Sequence, residues 1–194
     1  RLKALLRSSL AGAELRHAAI VDAEAVGVSP GELRKMLEEA VAVDPGNLSM
    51  VDQLEAILRG EGDWAALDKL YRDVLGSATD RSTRHRTAVA RAKLVLEQLG
   101  DEEGALAVLA PELEGQHPES SMLLMAADLC ERLSRFDAAD AWFTRAAETD
   151  HEEDRHRALH AQAKALFNRG RRVEARETLE ALLQEEGGDM GALG

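Results

Sequence analysis

A short polar break recurs along this chain at nearly constant spacing. Gly62-Asp63, Gly100-Asp101, Ser134-Arg135 and Gly170-Arg171 each end one amphipathic run and start another. Successive breaks lie 38, 34 and 36 residues apart, and Val28-Ser29-Pro30 precedes Gly62 by 34. A period of this length signals one supersecondary unit repeated, no copy of which buries its apolar face alone. Between breaks the pattern is helical. Ala139, Phe143 and Ala146 follow at offsets of four and three, so they share one helix face. Two small residues let a neighbouring helix approach, and the aromatic fills the space beside them. With apolar residues at 45% but aromatics at only 3%, the core must be built from Ala, Leu and Val. That composition, rich in good helix formers, predicts an all-α chain.

The runs after the breaks carry Leu33, Leu37, Ala40; Leu67, Tyr71, Val74; Ala105, Leu109, Glu112; Ala139, Phe143, Ala146; and Ala175, Leu179, Leu182. Partner helices are expected at 14–26, 47–60, 82–99, 119–133 and 153–169, giving five antiparallel pairs. Residues 1–12 read as the tail helix of a preceding unit, 13–188 as the repeat domain, and the Gly-rich 189–194 as a flexible tail. Ser29 is placed to cap a helix and Pro30 to occupy its first turn, while Asp44-Pro45 stops that helix. The 38-residue spacing puts about four extra residues in 76–83, as a loop or a lengthened helix start. Pro111 falls inside a helical run, where it either kinks or shortens the helix or begins a separate last turn.

In period and in motif the chain resembles the tetratricopeptide repeat, a family of ~34-residue helix–turn–helix units. The resemblance rests on Gly62-Asp63-Trp64, Gly100-Asp101, Ala139-x-x-x-Phe143-x-x-Ala146, and Ala40 with Asp44-Pro45. It covers nearly the whole chain, although Leu33 and Leu67 stand where a small residue is usual and the first helices lack the family's aromatic. It implies a right-handed superhelical solenoid whose first helices line a concave face. It also implies a protein-binding scaffold or adaptor rather than an enzyme.

The residues themselves offer little chemistry. His156 and His160 lie one turn apart, but HEEDRHRALH is not the HExxH pattern, and a solvated charged helix start explains it better than metal binding. Cys130 sits beside Ala126, Ala127 and Leu133 on an apolar side, as a buried structural thiol does. GDEEG and RGEGD lack the lysine of a phosphate loop, and Trp64 and Trp142 occupy packing positions. No catalytic residue, metal or cofactor is expected. A net charge of -12 argues against nucleic acid and against an anionic membrane surface. No apolar run approaches the ~20 residues of a membrane-spanning helix. One cysteine gives no sign of an oxidising compartment, so a cytoplasmic location is expected. The chain begins at Arg1 rather than Met, and a longer parent polypeptide is expected.

Charge alternates along the chain. Residues 81–99 hold five basic side chains against Glu97, and 155–172 hold six with no acid. Residues 101–116 carry five acids and no base, and 173–189 six acids against Arg176. If the first helices line the concave face, that face is locally basic. Its lining by register is Arg86, Arg91, Leu94, Leu124, Met125, Asp128, Arg132, Arg157, His160, Lys164 and Asn168, with Leu124 and Met125 as an apolar floor. An acidic peptide or helix of another protein fits such a groove. The competing reading is that these charges bridge neighbouring helices. The lysine-and-asparagine clamp that some relatives use on acidic chaperone tails is not supported, since Asp52 and Leu94 occupy its positions. A regulatory or substrate-positioning domain of an enzyme outside this sequence is one alternative, and self-association through the terminal repeats is another.

Overall fold

The computed structural model describes residues 29–115 and 118–190. The tail helix at 1–12, the partner helix at 14–26 and the last four residues lie outside the described residues. The chain divides into two compact units, Arg1–Leu94 and Val95–Gly194. The division falls within the first helix of the third expected pair.

In the first unit α1 (Pro30–Val43), α2 (Leu48–Glu61), α3 (Trp64–Ser77) and α4 (Arg81–Leu94) each pack on the next. Their core joins Leu37, Ala40, Met50, Leu54, Leu58, Leu67, Tyr71 and Val74. The second unit opens with a π-helical turn, Val95–Leu99, followed by α5 (Glu102–Leu113), α6 (Ser120–Arg132), α7 (Phe136–Ala147), α8 (Glu152–Asn168) and α9 (Arg172–Met190). Here Ala127, Cys130, Ala139, Phe143 and Ala165 form the core, with Trp142 and Leu124 packed against it. The small–aromatic–small face of α7 is buried throughout. Among the described residues every regular element is helical.

The four breaks from Gly62 onward share one backbone state, whereas Ser29, at the first predicted break, has φ of -64°. Gly62, Gly100 and Gly170 have φ of 69°, 63° and 82°, and Ser134 has 57°. Each stands just past a helix end, where a left-handed residue turns the chain back so that the next N–H reaches an orphan carbonyl. The Asp63 N–H donates to the Leu58 carbonyl at 3.0 Å, Arg135 to Cys130 at 2.8 Å, and Arg171 to Leu166 at 2.9 Å. At Gly100 the equivalent bond reaches one residue further, from Asp101 to Val95 at 3.4 Å, because the turn before it is π-helical. The extra residues predicted in 76–83 therefore enter helix rather than loop. α3 runs to Ser77, α4 begins at Arg81, and the π turn takes up the remaining offset.

Helix starts differ from expectation at Ser29. It precedes α1, and Pro30 takes the first turn, yet the Ser29 hydroxyl donates to the Glu32 carboxylate at 3.3 Å instead of capping a backbone N–H. Side-chain caps come instead from Asn47 to Met50, Asp63 to Ala66, Asp80 to Thr83 and Asp101 to Gly104. Pro111 stays inside α5, which ends two residues later at Leu113. Arg145 of α7 finishes that end, donating to the carbonyls of Leu113 and Gly115 at 2.8 Å each and lying 5.7 Å from the Trp142 ring centre.

Candidate partner-binding surface

The first helices of the repeat are α2 and α4 in the first unit and α6 and α8 in the second. On α6 the accessible positions Met125, Asp128 and Arg132 follow at offsets of three and four, as do Arg157, His160, Lys164 and Asn168 on α8. α6 and α8 touch directly. The second unit thus brings together seven of the expected groove residues on two adjacent helices. Leu124 is partly buried against the core behind them. Leu94 corrects the expected lining, because it is 4% exposed within the first unit's core. Leu94 lies seven residues after the buried Thr87 and so belongs to the packed face of α4.

Much of the expected positive charge is already engaged. Arg86 pairs with Asp52 of α2 at 3.0 Å, and Arg91 with Asp68 of α3 at 2.8 Å. Arg132 holds Asp128 at 2.9 Å and approaches Glu102 at 3.8 Å, while Arg157 holds Asp154 at 3.2 Å. Lys164 and His160 make no ion pair among the described residues. The bridging between neighbouring helices therefore holds for Arg86, Arg91 and Arg132, whereas Arg157 pairs within its own helix.

In the first unit the sequence reading named only Arg86 of a larger site. Val51, Asp52, Glu55 and Arg59 of α2 meet Arg86, Thr87 and Ala90 of α4 around a recess of about 370 Å³, with Tyr71 of α3 beneath. Arg59 donates to the Tyr71 hydroxyl at 2.9 Å and to Glu55 at 2.9 Å. Burial, reinforced by Glu55, pushes the Tyr71 hydroxyl well above its usual range, so it stays protonated. The available signal was the pairing of Asp52 and Arg86, opposite charges 34 residues apart at matching places in successive first helices.

A largely buried cation lies between α6, α7 and α8. The Arg169 side chain, 8% exposed, pairs with Glu131 and, at 2.7 Å, with Asp140, and lies 5.0 Å from the Phe136 ring centre. Burial opposes the charge on Asp140, but hydrogen bonds from Arg169 and Arg171 outweigh it and hold its carboxyl below the usual range. Burial pushes the Cys130 thiol up, away from a reactive thiolate. Among the described residues no group of three or more His, Cys, Asp and Glu is arranged to hold a metal ion. No described helix is long and apolar enough to cross a membrane.

Three solved structures superpose on most of this chain. MamA from residue 41 to its end, from Desulfovibrio magneticus RS-1, gives a TM-score of 0.60 at 15% identity over 91% of this chain and 96% of that one. A double mutant of MamA from RS-1 gives 0.60 at 14%, with the same coverage. YrrB, described as a TPR protein with an unusual peptide-binding site, gives 0.59 at 13% over 94% of this chain and 90% of its own. No family model matches the sequence, and no curated protein matches it significantly. Paired helices, left-handed breaks at the repeat period and these superpositions together give the chain a tetratricopeptide-like helical-repeat fold.

Proposed function

We propose that this chain is a protein-interaction scaffold that holds a segment of a partner protein on the accessible faces of α6 and α8. The observation that carries the reading is the pair α6 and α8. They touch, and they present Met125, Asp128 and Arg132 beside Arg157, His160, Lys164 and Asn168. Met125 supplies an adaptable apolar contact, and the uncommitted Lys164 supplies positive charge for a carboxylate. The recess between α2 and α4 accepts an apolar side chain of a bound segment in the first unit. YrrB's described peptide-binding site supports the same class of partner. Selection from a random peptide library displayed on phage tests it. Selected peptides should combine an apolar residue with acidic neighbours and lose at least about tenfold in affinity for Met125→Glu/Lys164→Glu protein. Selected peptides that bind this variant and the wild type equally would overturn the proposal.

A further inference from the structure

α9 packs on α8 and shares no substantial contact with any other described helix. Leu179 and Leu183 of α9 are 39% and 62% exposed, and Phe167 of α8 is 59% exposed. Between the two helices runs a recess of about 360 Å³, floored by Ala163, Phe167, Ala175 and Leu179. Its other lining residues are His160, Lys164, Arg172 and Arg176, with no carboxylate among them, on a chain of net charge -12. Glu180 holds Arg176 at 3.1 Å, and Arg172 lies 5.8 Å from the Phe167 ring centre. Lys164 has no ion pair among the described residues.

We infer that the groove between α8 and α9 is a second docking site, and that it takes an amphipathic helix of a partner protein with acidic residues flanking its apolar stripe. The shape follows from the two walls. Ala163 and Phe167 on one helix, and Ala175 and Leu179 on the other, each lie four residues apart, so their ridges bound a groove that a third helix fills. The charge follows from the rim. A second copy of this chain meeting the same face about a two-fold axis would set Lys164, Arg172 and Arg176 against their own equivalents, and like charges there oppose association. A helix bearing glutamates meets the same rim with opposite charge. His160 and Lys164 line both sites, but Arg172, Arg176 and Leu179 belong to α9 and Met125 to α6, so substitutions at these four separate the two.

A fluorescein-labelled synthetic helix of about 16 residues, with leucines at offsets of three and four and glutamates beside them, serves as the probe. Two controls replace its glutamates by lysine or its leucines by serine. In fluorescence anisotropy at low salt the glutamate peptide should saturate the full chain, and both controls should bind at least about tenfold more weakly. Arg172→Glu/Arg176→Glu should invert the preference between glutamate and lysine peptides, and Leu179→Asp should abolish binding with circular dichroism unchanged. Met125→Glu should leave this binding intact, which separates it from the first-helix stripe. The inference is overturned if no peptide binds, if the glutamate and lysine peptides bind equally, or if Arg172→Glu/Arg176→Glu has no effect. It is also overturned if sedimentation shows a dimer that Leu179→Asp dissociates, since a second copy is then the occupant.

Discussion

Ser134 occupies a position where its repeat-mates have glycine, and replacing it with glycine should stabilise the protein. With φ at 57° it sits in the left-handed region, where contact between Cβ and the following carbonyl costs an L-residue about 1–2 kcal/mol. Glycine avoids that contact but gives up more chain entropy on folding, an offset of roughly 0.5–1 kcal/mol. The turn is otherwise complete, since the Arg135 N–H reaches the Cys130 carbonyl at 2.8 Å and the Ser134 N–H reaches Glu131 at 3.0 Å. The net gain for Ser134→Gly is therefore about 0.5–1 kcal/mol, and Gly170→Ala, at φ 82°, should cost about 1 kcal/mol. For a chain of this size 1 kcal/mol moves the melting midpoint by roughly 2–4 °C, so a thermal scan by circular dichroism resolves both changes. A fall in midpoint for Ser134→Gly would show that the chain leaves α6 by another turn, and would refute the shared left-handed break.

Other substitutions probe the joints between repeats. Arg145→Ala should cost about 1–2 kcal/mol in urea titration, because the carbonyls of Leu113 and Gly115, at and just past the end of α5, lose their donor, and Arg145→Lys should recover little of it. Arg169→Ala should cost about 3 kcal/mol by leaving Glu131 and Asp140 without their shared cation, and Arg169→Ala/Asp140→Asn should cost less than the sum of the two single changes. Asp140 makes this joint acid-sensitive. Its folded carboxyl titrates below the unfolded value of about 3.9, so its stabilisation is present above that pH and is lost as pH falls through the folded value. In Asp140→Asn this part of the acid-induced fall in melting midpoint should disappear.

The repeat was legible because its marks are local. A glycine or serine that must turn left-handed, followed by a small–large–small helix face, needs no tertiary information, and the described partner helices lie within a residue or two of their expected bounds once the π turn is counted with α4. The surface was less legible because its charges are satisfied between helices. Arg86 looks like a free groove cation until Asp52, 34 residues earlier, is recognised as its neighbour one repeat away. Arg135 and Glu103, 32 residues apart, obey the same rule, as do Arg169 and Glu131 at 38. Leu94 was misplaced for a different reason. It lies seven residues after the buried Thr87, on the packed face of α4, and its apolar character suited a groove floor as well as a core. The face of α9 went unread because α9 carries Leu179 and Leu182 at core register, and only the structure shows Leu179 left 39% exposed.

Amide chemical-shift mapping with a peptide selected for binding tests the proposed function most directly. Perturbed amides should cluster on α6 and α8 around Met125, Asp128, Arg157 and Lys164, with α5 and α7 quiet away from them. Shifts concentrated on the exposed faces of α5 and α7, with α6 and α8 unchanged, would contradict binding on the first helices.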